Sequence, residues 1–201
     1  MDPILRFLLT AVVGYLLGSI STGLIVAGKV KNQVDLRQMG SKSTGATNVL
    51  RVLGKKPAAI TFVGDFIKVL LACLAGLLIA GQEGAMVGGL AGVIGHNWPV
   101  YHGFRGGKGV ASSIAVMLFV FPLQGGIAIA ACILIIAITR YVSLGSITML
   151  LLYAILVCIL QWGNWLVCLW AIVLAALCVW RHQANIKRLI SGTESKVSFK
   201  S

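Results

Sequence analysis

The chain has 201 residues, of which 58% are hydrophobic and 11% charged, and its formal charge is +12. A soluble domain is charged at about a quarter of its positions, so this composition excludes one and points to a membrane protein with basic polar stretches. The five cysteines (Cys73, Cys132, Cys158, Cys168, Cys178) lie in apolar runs without C-x-x-C spacing. They read as small buried hydrophobes rather than disulfides or metal ligands.

Met1-Asp2-Pro3 lacks a basic region, and the apolar run from Ile4 is too long for a cleavable signal. Ile4–Gly28 is the first expected span, with Gly14 and Gly18 spaced for close helix packing and Ser19, Ser21 and Thr22 after them. The loop Lys29–Lys56 carries Lys29, Lys31, Arg37, Lys42, Arg51, Lys55 and Lys56. A second span covers about Pro57–Ala80 and contains Asp65 and Lys68, read either as a buried ion pair or as part of a site. Gln82-Glu83 is the expected turn into a third span, about Gly84–Trp98, where Gly84, Gly88 and Gly92 form one stripe. His96–Gly109 is polar. Val110–Phe121 is apolar but shorter than the ~20 residues that cross a ~30 Å hydrocarbon core, so it is a short or re-entrant helix. Pro122–Gly126 reads as a turn, followed by a span to Thr139, a polar break Arg140–Ser146 and a span to about Leu160. Gln161–Asn164 turns, a last span ends at Trp180, and the tail from Arg181 is basic.

Charge decides the parity. If all seven spans cross, every one of the 17 Lys and Arg except Arg6 and Lys68 falls on one side. The positive-inside rule then places the N-terminus outside and the C-terminus in the cytoplasm. The expected fold is an all-α polytopic membrane protein, one domain over 1–201.

Four polar segments share the cytoplasmic face in this topology, and glycine-rich backbone at membrane depth needs protein or water to satisfy it. Gly40 and Gly45 have P-loop spacing, but Ala46-Thr47 replaces the Lys-Ser/Thr pair. The stretch reads as a phosphate cradle without nucleotide machinery. Ser41, Ser43, Thr44, Thr47 and Asn48 offer hydrogen bonds there, and Lys42 and Arg51 offer charge; a solvated loop is the alternative. Gly103–Gly109 brackets Lys108 with glycines at an expected helix N-terminus, which favours an anion unless it is merely a basic loop. His182 and Asn185 share a face if the last helix continues, which suits them to orient a hydroxyl or take its proton. Ser143 and Ser146 are also three apart, and capping a helix is their commoner use. The residues five after His96, His102 and His182 are Tyr101, Gly107 and Lys187, so no H-x-x-x-x-D motif exists. Only five acidic residues occur and no carboxylate cluster for Mg²⁺, which argues against CDP-alcohol transferases and most metal-dependent phosphatases.

Four blocks in order resemble the acyl-phosphate:glycerol-3-phosphate acyltransferase (PlsY) family. They are Gly40-Ser41 with Gly45–Arg51; Gly95-His96, Pro99-Val100 and Gly106–Ala111; Arg140–Ser146; and Arg181-His182 with Asn185-Ile186 and Arg188-Leu189. The resemblance covers nearly the whole chain, with one departure: Lys42, Ser43 and Thr44 stand where the family commonly has Gly-Asn-Val/Ile. It implies acyl transfer from acyl-phosphate to the 1-hydroxyl of sn-glycerol 3-phosphate, giving lysophosphatidic acid and phosphate. It also implies catalytic roles for Ser41, Arg51, Lys108, Ser146, His182 and Asn185. Substrate binding would fall to Gly40, Ser43, Thr44, Gly45, Ala46, Thr47, Asn48, Gly106, Gly107, Gly109 and Arg181. No cofactor, metal or nucleic acid is expected. The expected setting is a bacterial inner membrane, as a monomer linked functionally to the enzyme that makes acyl-phosphate. The proton acceptor is either His182 or a substrate phosphate. The rival functions are an anion carrier, which needs polar groups at mid-bilayer and access from both faces, and a helical scaffold.

Overall fold

The computed structural model describes residues 1–30 and 35–197; of the basic residues counted above, Lys31 and Lys200 lie outside them. Among the described residues the secondary structure is all helical, in nine α-helices and one 3-10 turn. Among the described residues, four helical segments are long and apolar enough to cross a membrane, or five if a bent pair at the C-terminal end counts as one span. The chain divides into two compact units, Met1–Val120 and Phe121–Ser201.

The first unit holds α1 (Pro3–Gly18), α2 (Thr22–Val30), α3 (Ala46–Leu53), α4 (Lys55–Asn97) and α5 (Val110–Val120). Pro3 takes the first helical position of α1, and the Asp2 carboxylate accepts the Ile4 and Leu5 amides. The expected first span is broken: α1 stops at Gly18, where the Ser19 hydroxyl donates to the Tyr15 carbonyl, 2.8 Å away. The Ile20 carbonyl falls between α1 and α2, outside both helices.

Helix α4 contains both the second and third expected spans. Ala80 and Gly81 leave helical geometry, Gly81 with φ +69°, so the reversal sits just before the expected Gln82-Glu83 turn. A residue with a side chain is disfavoured at that φ, which is why glycine marks the point. The two halves then run back along one another. A Cβ on Gly76 would strike the backbone of Gly84, and one on Gly92 would press on Ala72 and Val69. Helix α1 packs alongside the second half in the parallel sense, Gly14 against Gly88 and Gly18 against Gly92, backbone to backbone. The two glycine stripes expected from spacing are therefore one interface.

The polar Lys29–Lys56 segment is not loop throughout, because Ala46–Leu53 forms α3. Val49, Leu50, Val52 and Leu53 recur at helical spacing and cover Ala27, Leu36 and Ala58. Helix α5 has 11 residues, about 16 Å at 1.5 Å per residue, half of a hydrocarbon core.

The second unit holds α6 (Pro122–Thr139), α7 (Val142–Leu160), α8 (Trp165–Arg181) and α9 (Gln183–Ile190). Pro122–Gly126 is not a turn but the start of α6, since proline needs no N–H partner at a first helical position. The Arg140–Ser146 break shrinks to Arg140-Tyr141, with Arg140 at φ +63° closing α6. Tyr153, Leu150, Val157 and Leu174 form the buried seam of α7 and α8, and Trp170 meets Tyr153 and Phe121 edge-on. Helix α8 ends at Arg181, close to the expected end at Trp180, and the chain bends 62° at His182 into α9, so the condition that α8 continue through His182 is not met.

The glycine interface makes a contrast that thermal unfolding of detergent-purified protein can read. Gly18→Ala should destabilise by about 1–3 kcal/mol, because the added methyl meets backbone that cannot yield. Gly28→Ala, with open space around it, should be neutral or slightly stabilising through helix propensity.

Candidate functional site

The candidate residues fall into two sets, one per unit. In the first unit, the stretch before α3 is organised by Asn48, which is buried. Its Oδ1 accepts the Ser41 amide at 2.8 Å, and its Nδ2 faces the carbonyls of Leu36, Met39 and Ser43 at 3.2, 3.0 and 2.8 Å. Asn48 thus spends its amide on shaping the cradle. Gly40 is glycine because Asn48 Oδ1 occupies the place of its Cβ and its φ is +58°. Lys42, one of the departures from the family pattern, takes φ +56° and is exposed. Ser43 and Thr44 are buried, and the Ser43 hydroxyl accepts the Gly45 amide at 3.4 Å. Gly45 precedes α3 without a side-chain cap, so the first amides of α3, from Ala46 and Thr47, face outward in the manner that suits an anion. Ser41 is half-buried at the edge of this cradle, and Arg51 is exposed on α3.

Asp35 and Arg37 anchor the entry to the cradle. Arg37 Nε and Nη2 reach the two Asp35 carboxylate oxygens at 2.9 and 3.0 Å, and Nη1 reaches the His102 carbonyl at 3.3 Å. The hydrogen bond from Arg37 holds the Asp35 carboxyl below its ordinary range. Through His102 this pair ties the first cradle to the second polar segment.

That second segment, Gly103–Gly109, leads into α5. Gly106, Gly107 and Gly109 are buried, and Lys108 is half-buried between them. The reason for glycine is visible beneath. A Cβ on Gly106 would strike the His96 and Asn97 carbonyls, one on Gly107 the His96 ring, and one on Gly109 the Asn97 amide at 3.0 Å. The Gly107 amide donates to the His96 carbonyl at 3.1 Å, and the Ser113 amide to Gly109 at 2.7 Å. Asn97 is fully buried, and neither amide atom has a hydrogen-bond partner among the described residues. The sequence reading passed over Asn97, whose only signal was its place beside His96.

In the second unit, His182 sits at the α8–α9 bend, 2% exposed. Its Nδ1 lies 2.8 Å from the Cys178 carbonyl, which only accepts, so Nδ1 carries a proton and Nε2 is the basic nitrogen of the neutral ring. The Cys178 thiol lies 3.5 Å from the same nitrogen and 3.9 Å from the Ser146 carbonyl, bringing α7 and the bend together. Neither serine caps α7: Ser146 donates to the Val142 carbonyl at 2.8 Å, and Ser143 donates to Glu194 at 3.0 Å. Arg181 is half-buried at the end of α8.

Glu194 is the residue that sequence reasoning missed. Its Oε1 accepts from Asn185 at 2.7 Å and from Ser143, and its Oε2 takes Arg188 Nε at 2.7 Å. Burial works to raise its carboxyl, but the bonds from Asn185, Arg188 and Ser143 outweigh it and leave it below its ordinary range. The tail beyond returns to the α6–α7 corner, where the Val197 amide donates to the Arg140 carbonyl and Lys196 lies over the Tyr141 ring. A carboxylate in so basic a tail was the available signal.

The profile of the family described as "Glycerol-3-phosphate acyltransferase" matches residues 8–192. The glycerol-3-phosphate acyltransferase of Thermoanaerobacter pseudethanolicus is 46% identical over 192 residues, covering 96% of each chain. That of Halalkalibacterium halodurans is 47% identical, over 92% of this chain and 93% of its own. A crystal structure of PlsY (YgiH), an integral membrane glycerol 3-phosphate acyltransferase in its glycerol 3-phosphate form, superimposes with a TM-score of 0.88. It is 37% identical, with 96% of both chains covered. The lysophosphatidic acid form of PlsY gives 0.85 at 36% identity, over 96% of this chain and 95% of that one.

Because the native Glu194 carboxyl is depressed, its contribution is fully present above the ordinary carboxylate range and is lost as pH falls through the lowered native value. Glu194→Gln should therefore be less stable than wild type at neutral pH, and the gap should close on acidification. Acid-unfolding curves of the two proteins check this, with parallel curves as the contrary result.

Proposed function

Since the chain belongs to the glycerol-3-phosphate acyltransferase family, we propose that it uses acyl-phosphate as donor and releases lysophosphatidic acid and phosphate, the first step of phospholipid biosynthesis. The observation that carries this reading is the pair of glycine-shaped helix N-termini in the first unit, at α3 and α5, with Lys108 just before α5 and Arg51 in the last turn of α3. Two phosphate-bearing substrates need two such anion sites. The PlsY structures, one in a glycerol 3-phosphate form and one in a lysophosphatidic acid form, support the same acceptor and product.

In this mechanism the Gly40–Thr47 cradle holds the phosphate of the donor, with Gly45, Ala46 and Thr47 at the start of α3 and Asn48 keeping the cradle in shape. By the family resemblance, Arg51, Lys108 and His182 bind glycerol 3-phosphate and offset charge that develops on the acyl carbonyl, and Arg181 takes part in substrate binding. Ser41, Ser146 and Asn185 position the acceptor. The 1-hydroxyl oxygen attacks the acyl carbon, the carbon–oxygen bond to phosphate breaks, and the hydroxyl proton passes to His182 Nε2 or to a substrate phosphate. Phosphate leaves a mixed anhydride readily, so alignment and charge stabilisation do most of the catalysis, and no metal or cofactor is required. The protein is a multi-pass membrane protein. We place it in a bacterial inner membrane as a single monomeric domain with seven crossings, the N-terminus outside and the chemistry on the cytoplasmic face. Positive charge supports that orientation. There the protein would take acyl-phosphate from the enzyme that makes it.

Purified protein given palmitoyl-phosphate should release phosphate only when glycerol 3-phosphate is present, with lysophosphatidic acid as co-product. Acceptor-independent release would indicate a hydrolase, and no release from acyl-phosphate, acyl-CoA or acyl carrier protein would favour an anion carrier. Lys108→Ala should lower kcat/KM by about 100-fold or more with the fold intact; retained turnover would remove Lys108 from the mechanism.

A further inference from the structure

A buried charge network lies beneath the Gly106–Gly109 loop, and the mechanism above does not use it. Lys68 Nζ, 6% exposed, lies 2.6 Å from the Ile20 carbonyl, 3.0 Å from His96 Nδ1 and 2.9 Å from Asp65 Oδ1. Two of its N–H donors therefore have hydrogen-bond partners, and the Asp65 carboxylate meets the charge as an ion pair. Lys68 is thus committed to the protein and is not a substrate ligand.

We propose that Asp65, Lys68 and His96 are positioning residues that set the Gly106–Gly109 loop for glycerol 3-phosphate. The inference rests on the transferase reading. His96 Nδ1 lies 3.0 Å from Lys68 Nζ and 3.4 Å from Asp65 Oδ1, so the ring cannot rotate without breaking both contacts. The His96 ring fills the space where Gly107 would carry a Cβ, and its carbonyl receives the Gly107 amide. Asn97, next in the chain, fills the corresponding space under Gly109. A continuous line of contacts therefore runs from the α1–α2 break through Lys68 and His96 to the backbone flanking Lys108. The Ile20 carbonyl calls for a buried donor, but that need alone specifies neither an imidazole nor its orientation. The buried pair fixes the rotation of the His96 ring, and that ring sets the floor on which the loop rests.

The test measures KM for glycerol 3-phosphate and kcat separately, together with thermal unfolding with and without glycerol 3-phosphate. Lys68→Met and His96→Ala should each raise KM roughly tenfold with little change in kcat while the protein remains folded. His96→Gln, which can accept from Lys68 and donate on its other side, should recover most of the loss. Gly107→Ala should be milder in the His96→Ala background than alone, because the ring it collides with is gone. That double-mutant cycle decides the matter even if Lys68→Met fails to fold. Unchanged KM in folded variants, a loss confined to kcat, or strict additivity of His96→Ala and Gly107→Ala would overturn the proposal. Wild-type turnover is read independently: a silent wild type sinks the transferase reading, whereas an active wild type with unaltered variants sinks only this inference.

Discussion

The first unit depends on how a carbonyl is satisfied away from water. The α1–α2 break leaves the Ile20 oxygen outside the helical ladder, and an unpaired carbonyl in a bilayer costs several kcal/mol. Lys68 supplies the donor at 2.6 Å, and its own charge is met by Asp65 one helical turn away. The break, the ion pair and the orientation of His96 are therefore one solution to one problem. Removing a single partner would leave an uncompensated charge in the interior, which is far costlier than never having had the pair.

Glycine does two different jobs in this chain. Along α1 and α4 it lets helical backbones touch, where lipid provides no hydrophobic force to press helices together and packing must supply it. In the two polar segments it lets side chains from below, Asn48 in one and His96 and Asn97 in the other, occupy the space of missing Cβ atoms. The backbone that results is held from beneath, with the Ser41 and Gly107 amides spent on that support. A rigid cradle of this type costs no reorganisation when charge develops, which is the main requirement of a reaction whose leaving group is already good.

Much of this was legible in the residues. Apolar run lengths gave the principal helices and the shortness of α5, spacing gave the Gly14/Gly18 and Gly84/Gly88/Gly92 stripes, and four ordered blocks gave the family. What stayed hidden depends on distant partners. Nothing near Ser19 announces a break, because the group that stabilises it is 48 residues away. Helix α3 was obscured by its glycine- and hydroxyl-rich start, although Val49, Leu50, Val52 and Leu53 carry helical periodicity. Pro122 was read as a turn residue when it is as well suited to a helix start. The bend at His182 and the return of Glu194 to Asn185 and Ser143 need knowledge of where the tail goes, which no local pattern contains.

The folded-back geometry of α4 has a consequence for how such chains can vary in length. Gly76 faces Gly84, Ala72 faces Gly88, and Asp65 faces His96, so the two arms are matched both by shape and by charge. A one-residue insertion within either arm rotates every position beyond it by about 100° on the helix. Glycine contacts and the ionic contact would then be lost together. At Ala80–Gly81 the helix is already broken, so extra residues there can be absorbed without shifting the register of either arm. Length variation among relatives should therefore collect at that reversal, and the distance from it to Asp65 on one side and His96 on the other should stay constant.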